Sequence, residues 1–190
     1  MSLKELSKNL QTEDEIFTFK KKERVIRRPL SLHHLHKDMA DIIRSHKHEE
    51  ERKSNLKGYM TNYFLHKQYP IVNEVCNKAI DIVRSIQVKD QKGILDKFFT
   101  YDCWGGIYNQ NDYTLPHTHG PALWSWVYYI QVPDNAPPIY FKEAKLCRYP
   151  KPDEIFIFPG HVIHEVPKAE DMIEERIILA GNIYLDYRNI

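Results

Sequence analysis

Tyr108-Asn109-Gln110-Asn111-Asp112-Tyr113-Thr114-Leu115-Pro116-His117-Thr118-His119, leading through Gly120-Pro121-Ala122 into Leu123-Trp124-Ser125-Trp126-Val127-Tyr128-Tyr129-Ile130, is the stretch on which the fold turns. A turn-rich segment runs into a histidine pair and then into an aromatic, apolar run of strand length. On extended backbone, residues i and i+2 point to one side, so His117 and His119 can present two imidazoles to one metal ion. A third imidazole follows in Phe158-Pro159-Gly160-His161-Val162-Ile163-His164, and Arg176 comes after it. Returning on a distant strand, His164 can complete a facial set of three nitrogen ligands, the layout of a non-haem iron site.

Spacing alone is weak in a chain with ten histidines. Two further H-x-H pairs, His34/His36 and His46/His48, fall in charged sequence of helical character. In a helix i and i+2 do not share a face, so these pairs are read as solvated helix surface. His161, in an expected turn, is read as exposed, and His66 as structural. Glu165 follows His164 directly and therefore points to the opposite side of a strand, away from any metal.

Outside this stretch the bounds are ordinary. The chain has 190 residues, 42% hydrophobic and 12% aromatic, enough for one well-packed domain. A net charge of +1 exerts no global pull toward nucleic acid or membrane. Cys76, Cys103 and Cys147 have neither the count nor the spacing of a disulfide frame or zinc knuckle, so reduced thiols and a cytoplasmic location are expected. The polar N-terminal residues lack the apolar core of a signal peptide, and no run approaches membrane-spanning length.

Expected organisation is a single domain over 1–190: a mostly helical support region over 1–97 and a strand-rich core over 98–190. Glu15–Phe19 and Arg24–Arg28 read as short strands around Lys20, Lys21 and Lys22, a basic cluster without the interleaved aromatics of a nucleic-acid platform. Leu32 to about Lys53 reads as polar helix. Pro70–Ile86 reads as an amphipathic helix, with Pro in its first turn and an apolar stripe through Val72, Val75, Ala79, Ile80 and Val83. Beyond Asp96 come short strands at Lys97–Trp104, Ile107–Tyr108, Leu123–Val132, Ile139–Phe141, Glu154–Phe158 and Arg176–Leu185. This pattern predicts a mainly β fold, a jelly roll or cupin-like double-stranded β-helix backed by helices, with a metal in its mouth.

The same residues carry a family resemblance. Trp104 to His119 resembles the Y-x-x-G-x-x-Y-x-x-H-x-D stretch of 2-oxoglutarate- and Fe(II)-dependent oxygenases of the prolyl-hydroxylase type, with Tyr108 and His117 at the family's separation. Val127-Tyr128-Tyr129-Ile130 resembles the tyrosine-bearing strand that follows, and Pro152 to Val166 the strand and turn that deliver the second histidine. Arg176 stands where the family keeps its basic residue. The resemblance covers about residues 98 to 185, and within the superfamily it is to a group found in bacteria and marine phages. It implies Fe(II) held by His117, His119 and His164, with 2-oxoglutarate and O2 as co-substrates. It also implies that Arg176 holds the far carboxylate of the oxoacid, with Tyr129 beside it and Tyr108 nearer the metal.

Physical chemistry supports those roles, since a planar guanidinium binds a carboxylate bidentately and stays charged when buried. One departure stands out: the family has Asp or Glu two residues after its first histidine, and this chain has His119. Losing that carboxylate removes a negative charge from the metal's ligands and favours the resting Fe(II) form. Other arrangements stay open, with His119 turned away or with Zn, Ni or Cu replacing iron. The expected activity is hydroxylation of an unidentified substrate, a small molecule or a protein side chain such as proline. Two alternatives are a three-histidine cupin-type dioxygenase whose substrate chelates the metal directly, and a non-catalytic jelly-roll binding or structural protein.

Overall fold

A computed structural model of the chain describes residues 24–48, 54–86 and 97–186. The strand-like run Glu15–Phe19 and the lysine cluster at 20–22 lie outside the described residues, as do residues 49–53 of the first expected helix. In chain order come β1 (Ile26–Pro29), α1 (His36–Ser45), β2 (Leu56–Lys57), β3 (Tyr59–Met60), α2 (Leu65–Gln68) and α3 (Pro70–Ile86). Then follow β4 (Phe98–Tyr108), β5 (Tyr113–His117), β6 (Trp124–Gln131), β7 (Ile139–Phe141), β8 (Leu146–Arg148), β9 (Glu154–Pro159), β10 (His164–Val166) and β11 (Arg176–Leu185). They form a six-stranded sheet, β1-β9-β6-β11-β4-β3, and a five-stranded sheet, β2-β5-β10-β7-β8. Every pairing within both sheets is antiparallel, as a jelly roll requires.

Strand alternation divides the apolar side chains into two layers. On β11, Ile177, Leu179 and Ile183 join Val72, Val75, Ala79 and Val83 of α3 and Met39 and Ile43 of α1 in one cluster. Their neighbours Ile178 and Ala180 turn the other way and meet Val127 and Tyr129 of β6, Phe156 and Phe158 of β9, and Phe141 of β7. The large sheet thus has one face on the helices and one on the small sheet. Functional side chains on the second face look into the space between the sheets.

The amphipathic stripe of α3 produces the helix where the sequence places it. The expected strands at Lys97–Trp104 and Ile107–Tyr108 form one continuous strand, β4. Gly105 interrupts the hydrophobic pattern because α1 lies against it: a Cβ there would be 2.5 Å from Ile43 Cγ1. Residues before 98 also supply β1, β2 and β3, so both sheets draw on both halves of the chain. Among the described residues no helix is long and apolar enough to cross a membrane.

Two histidines read as solvated surface are not. His36 precedes the buried Met39, Ala40 and Ile43 by three, four and seven positions, so it shares their face of α1. Its Nε2 donates to the Tyr128 hydroxyl at 2.7 Å, and that hydroxyl donates to Asp153 Oδ1 at 2.8 Å. Burial lowers the pKa of His36, against the pull of Asp153. His46 is buried against Tyr69, with its Nε2 3.1 Å from the phenol oxygen. Charged neighbours hide these contacts in the sequence, although the helical spacing carries the one at His36.

Asp153 ties β9 to the chain entering α1. Besides the Tyr128 hydroxyl it accepts the backbone N–H groups of Ser31 and Leu32, at 2.8 and 2.7 Å. Asp153→Ala strands three donors and is expected to destabilise the fold by about 2–3 kcal/mol. Urea unfolding reads this as a lower midpoint at unchanged slope; an unchanged midpoint would show that the knot carries no net stability.

Candidate metal centre and oxoacid pocket

His164 at the start of β10 is the antiparallel partner of His117 at the end of β5. That register brings the two rings to 4.3 Å between centroids. His119 lies beyond the end of β5 and does not continue the strand. Its backbone N–H donates to the Gly160 carbonyl at 2.7 Å, which holds it beside the turn before His164. Gly160 has no room for a side chain, since a Cβ would lie 2.2 Å from the Ala122 carbonyl oxygen. The third imidazole is thus placed by loop-to-loop contact, where the sequence suggested simple strand alternation.

One ligand atom from each of the three imidazoles falls within a mutual 4.8 Å. His117 Nδ1 is 2.8 Å from the Leu115 carbonyl and His164 Nδ1 is 3.0 Å from the Val162 carbonyl. A carbonyl only accepts, so both Nδ1 atoms carry the proton and both Nε2 atoms present lone pairs. His119 Nε2 lies 3.3 Å from His164 Nε2, a separation that two ligands can span at metal–nitrogen bonds of about 2.0–2.1 Å. Burial, with neighbouring imidazoles, lowers the pKa of His119 to about 2 and that of His164 to about 4, and burial lowers that of His117. All three rings are neutral at pH 7, as ligation needs. Phe158 packs on His164 at 4.5 Å and Trp104 on His119 at 5.9 Å.

Arg176 is cross-strand partner to Tyr108 and is 1% exposed. Its guanidinium carbon lies 5.0 Å from the Tyr108 ring centre and 5.1 Å from that of Tyr129. Nη1 donates to the Pro137 carbonyl at 2.8 Å, while Nε has no partner. The buried Tyr129 hydroxyl likewise has none. Burial raises the pKa of both tyrosines against the pull of the guanidinium, keeping them neutral donors. Tyr108 differs in having its hydroxyl engaged, 2.7 Å from Thr114 Oγ1. Thr114 stands three residues before His117 on β5, about 10 Å of strand.

Arg176, Tyr108, Tyr129 and the three histidines line one cavity of about 890 Å³ between the sheets. It gathers all six residues that the sequence singled out. Sequence reasoning missed Thr114, Gly160 and Phe158, which position or wall the site; of these only Phe158 had a signal, its alternation with Phe156 on β9. His161 is exposed and Glu165 half-buried, and neither is in the cavity lining. Trp126 packs in the helix-side cluster, yet it also reaches the cavity wall. Cys76 and Cys103 are buried free thiols and Cys147 an exposed one.

The donor set fits a first-row divalent metal: three neutral imidazoles on one side, with space opposite for further ligands. The orphaned Arg176 Nε and Tyr129 hydroxyl, both buried and both donors, fit an anionic carboxylate.

No family model matches the chain, and no curated protein matches it in sequence. Solved structures do match in fold. The viral collagen prolyl hydroxylase of Paramecium Bursaria Chlorella virus-1, in complex with 2-oxoglutarate, superposes with a TM-score of 0.66 at 16% identity, over 86% of this chain and 96% of its own. A Pseudomonas putida prolyl-4-hydroxylase gives 0.66 at 15% identity, over 87% and 94%. HygX of Streptomyces hygroscopicus, with nickel and 2-oxoglutarate bound, gives 0.62 at 7% identity, over 86% and 83%. With two antiparallel sheets, helices on one face and three histidines between the sheets, this chain has the double-stranded β-helix fold of the 2-oxoglutarate- and Fe(II)-dependent oxygenases.

Proposed function

We propose that the protein is a 2-oxoglutarate- and Fe(II)-dependent oxygenase that hydroxylates a C–H bond of an organic substrate. The observation that carries this reading is Arg176. A buried guanidinium with an open Nε, stacked between two tyrosines in the cavity of three converging imidazoles, is costly unless an anion completes it. 2-Oxoglutarate has a carboxylate for that guanidinium and, at its other end, two oxygens for a metal.

His117, His119 and His164 would hold iron through their ring nitrogens, with Nδ1–H bonds from His117 and His164 to backbone carbonyls fixing two of the rings. Arg176 would orient the far carboxylate, joined by the Tyr129 hydroxyl, while Tyr108, braced by Thr114, walls the space between. Phe158 and Trp104 exclude water from the imidazoles on two sides. Bound iron would couple oxidation of the oxoacid to that of the substrate: 2-oxoglutarate, O2 and R–H become succinate, CO2 and R–OH, one oxygen atom going to each organic product. The structural neighbours named for prolyl hydroxylation make a protein side chain such as proline the first substrate class to examine.

Absence of a carboxylate among the three ligands favours one second reading, a dioxygenase whose substrate chelates the metal directly while Arg176 grips that substrate's own carboxylate. Anaerobic titration of the apo-protein with Fe(II) and then 2-oxoglutarate separates the two. The oxygenase reading expects a weak visible charge-transfer band that is lost in an Arg176 variant; bound metal without the band moves the assignment to direct chelation. Failure to bind metal leaves a non-catalytic jelly roll.

His119→Asp probes the unusual ligand. The Gly160 carbonyl anchors the backbone of residue 119, so a carboxylate there would face the same metal. Iron binding is expected to persist and oxoacid-dependent oxygen uptake to stay level or rise by up to about ten-fold, the charge now matching the common triad. Loss of iron in this variant, read by metal analysis, would mean that the third position is shaped for imidazole alone.

A further inference from the structure

The far end of the cavity from Arg176 holds polar groups that neither metal nor oxoacid uses. Asn182 is six residues along β11 from Arg176, about 20 Å of strand. Opposite it β4 bulges: the pairing passes from Cys103↔Gly181 to Thr100↔Ile183, so Tyr101 and Asp102 together face the single residue Asn182. Bulges of this kind re-aim side chains beside functional sites. Asp102 here becomes the only acidic side chain in the cavity lining among the described residues.

Its carboxylate is incompletely satisfied. Oδ2 accepts a long bond from the Tyr184 hydroxyl, 3.3 Å, and Oδ1 is buried without a partner. Asn182 is in turn held by the Ser125 hydroxyl at 2.8 Å, which makes this corner rigid. Burial is the largest influence on the Asp102 carboxyl and raises its pKa. A desolvated carboxylate in that position gains most from a cation that brings its own N–H donors. Aromatic faces flank the approach. Trp104, two residues along β4, packs tilted against His119, and Tyr63 meets Trp104 edge-on at 5.5 Å. Such faces favour an ammonium or guanidinium over a neutral polar group. Trp126 Nε1, a buried donor at this same end, also lacks an acceptor, and its ring is the one that a Gly181 side chain would strike.

With the oxoacid bound, its two carboxylates would offset the charge of a divalent metal, and Asp102 is then the one acidic side chain on the substrate side of the cavity lining among the described residues. We infer that Asp102 receives a cationic group, a primary ammonium or a guanidinium, carried by the substrate, with Trp104 and Tyr184 as the walls of its subsite. This deepens the oxygenase reading and rests on it for the word substrate.

The test titrates protein loaded with Mn(II) and 2-oxoglutarate, by calorimetry, with acetyl-Gly-Lys-Gly-amide, its arginine counterpart, its norleucine counterpart and n-butylammonium. Lysine or arginine peptide is expected to bind at least about ten-fold tighter than the norleucine peptide, which has similar length without charge. Asp102→Asn is expected to shrink that preference below about three-fold while Mn(II) and 2-oxoglutarate still bind. A peptide tighter than n-butylammonium assigns the cation to a polypeptide side chain, and equal affinities assign it to a small free cation. Equal binding, or no binding, of charged and neutral peptides by the wild-type protein overturns the inference, whether or not the Asn variant folds. If the charge preference appears but Mn(II) or 2-oxoglutarate does not bind, the oxygenase reading fails and the cationic subsite stands.

Discussion

His164→Ala is expected to abolish iron binding and, with it, oxoacid-dependent oxygen uptake. His164 is the hub of the candidate centre: it pairs in register with His117, its Nε2 is 3.3 Å from that of His119, and its ring is buried against Phe158. Removing even an outer partner of a metal ligand costs about 10–100-fold in affinity, so losing the central ligand of three should exceed that range. Metal analysis after gel filtration reads the loss directly. The fold should survive, since burying a neutral imidazole that forms a single backbone hydrogen bond contributes modestly to stability. Iron retained at wild-type stoichiometry would refute the site.

Arg176→Met separates binding of the oxoacid from binding of the metal. Losing one partner of a buried, hydrogen-bonded charge pair costs about 2–5 kcal/mol, so 2-oxoglutarate should bind roughly 30- to 5,000-fold more weakly while iron still binds. Stability of the apo-protein should move the other way. In the absence of an anion Arg176 is a buried cation whose Nη1 donates to the Pro137 carbonyl while its Nε is unpartnered, and methionine fills similar space without that desolvation cost. Thermal unfolding of the metal-free variant is therefore expected at or above the wild-type temperature. A variant with weakened oxoacid binding and a collapsed fold would instead show that the arginine is chiefly structural. Undiminished 2-oxoglutarate affinity would remove the observation on which the proposed function stands.

Both effects concern residues legible in the sequence: His164 through the spacing of its motif, and Arg176, with the tyrosines beside it, through periodicity. Tyr129, Arg176 and Tyr108 sit on long strands, β6, β11 and β4, whose alternation of side chains is regular enough to read from the chain. The same holds for α3, whose stripe of Val72, Val75, Ala79 and Val83 declares its buried face. Short strands were another matter. β2, β3, β8 and β10 have two or three residues each, too few to show a period, and exist because a neighbouring strand pairs with them. β5 was hidden in a stretch whose Asn, Asp and Pro content signals turns.

The types and the order of the groups can be read along the chain: which strands are long, which helix is amphipathic, and which histidines and arginine stand out from the charged background. Local chemistry fixes these, because side-chain alternation and helical spacing act over a few neighbouring residues. What those groups share is set by packing in three dimensions. It set His164 against His117 in strand register, held His119 beyond its strand through the Gly160 carbonyl, and folded His36 and His46 inward. It also turned Asp102 into the cavity at a bulge with one oxygen unpartnered. Register, bulges and loop contacts depend on partners 40 to 80 positions away in the chain, and satisfaction of a buried polar atom depends on every group packed around it.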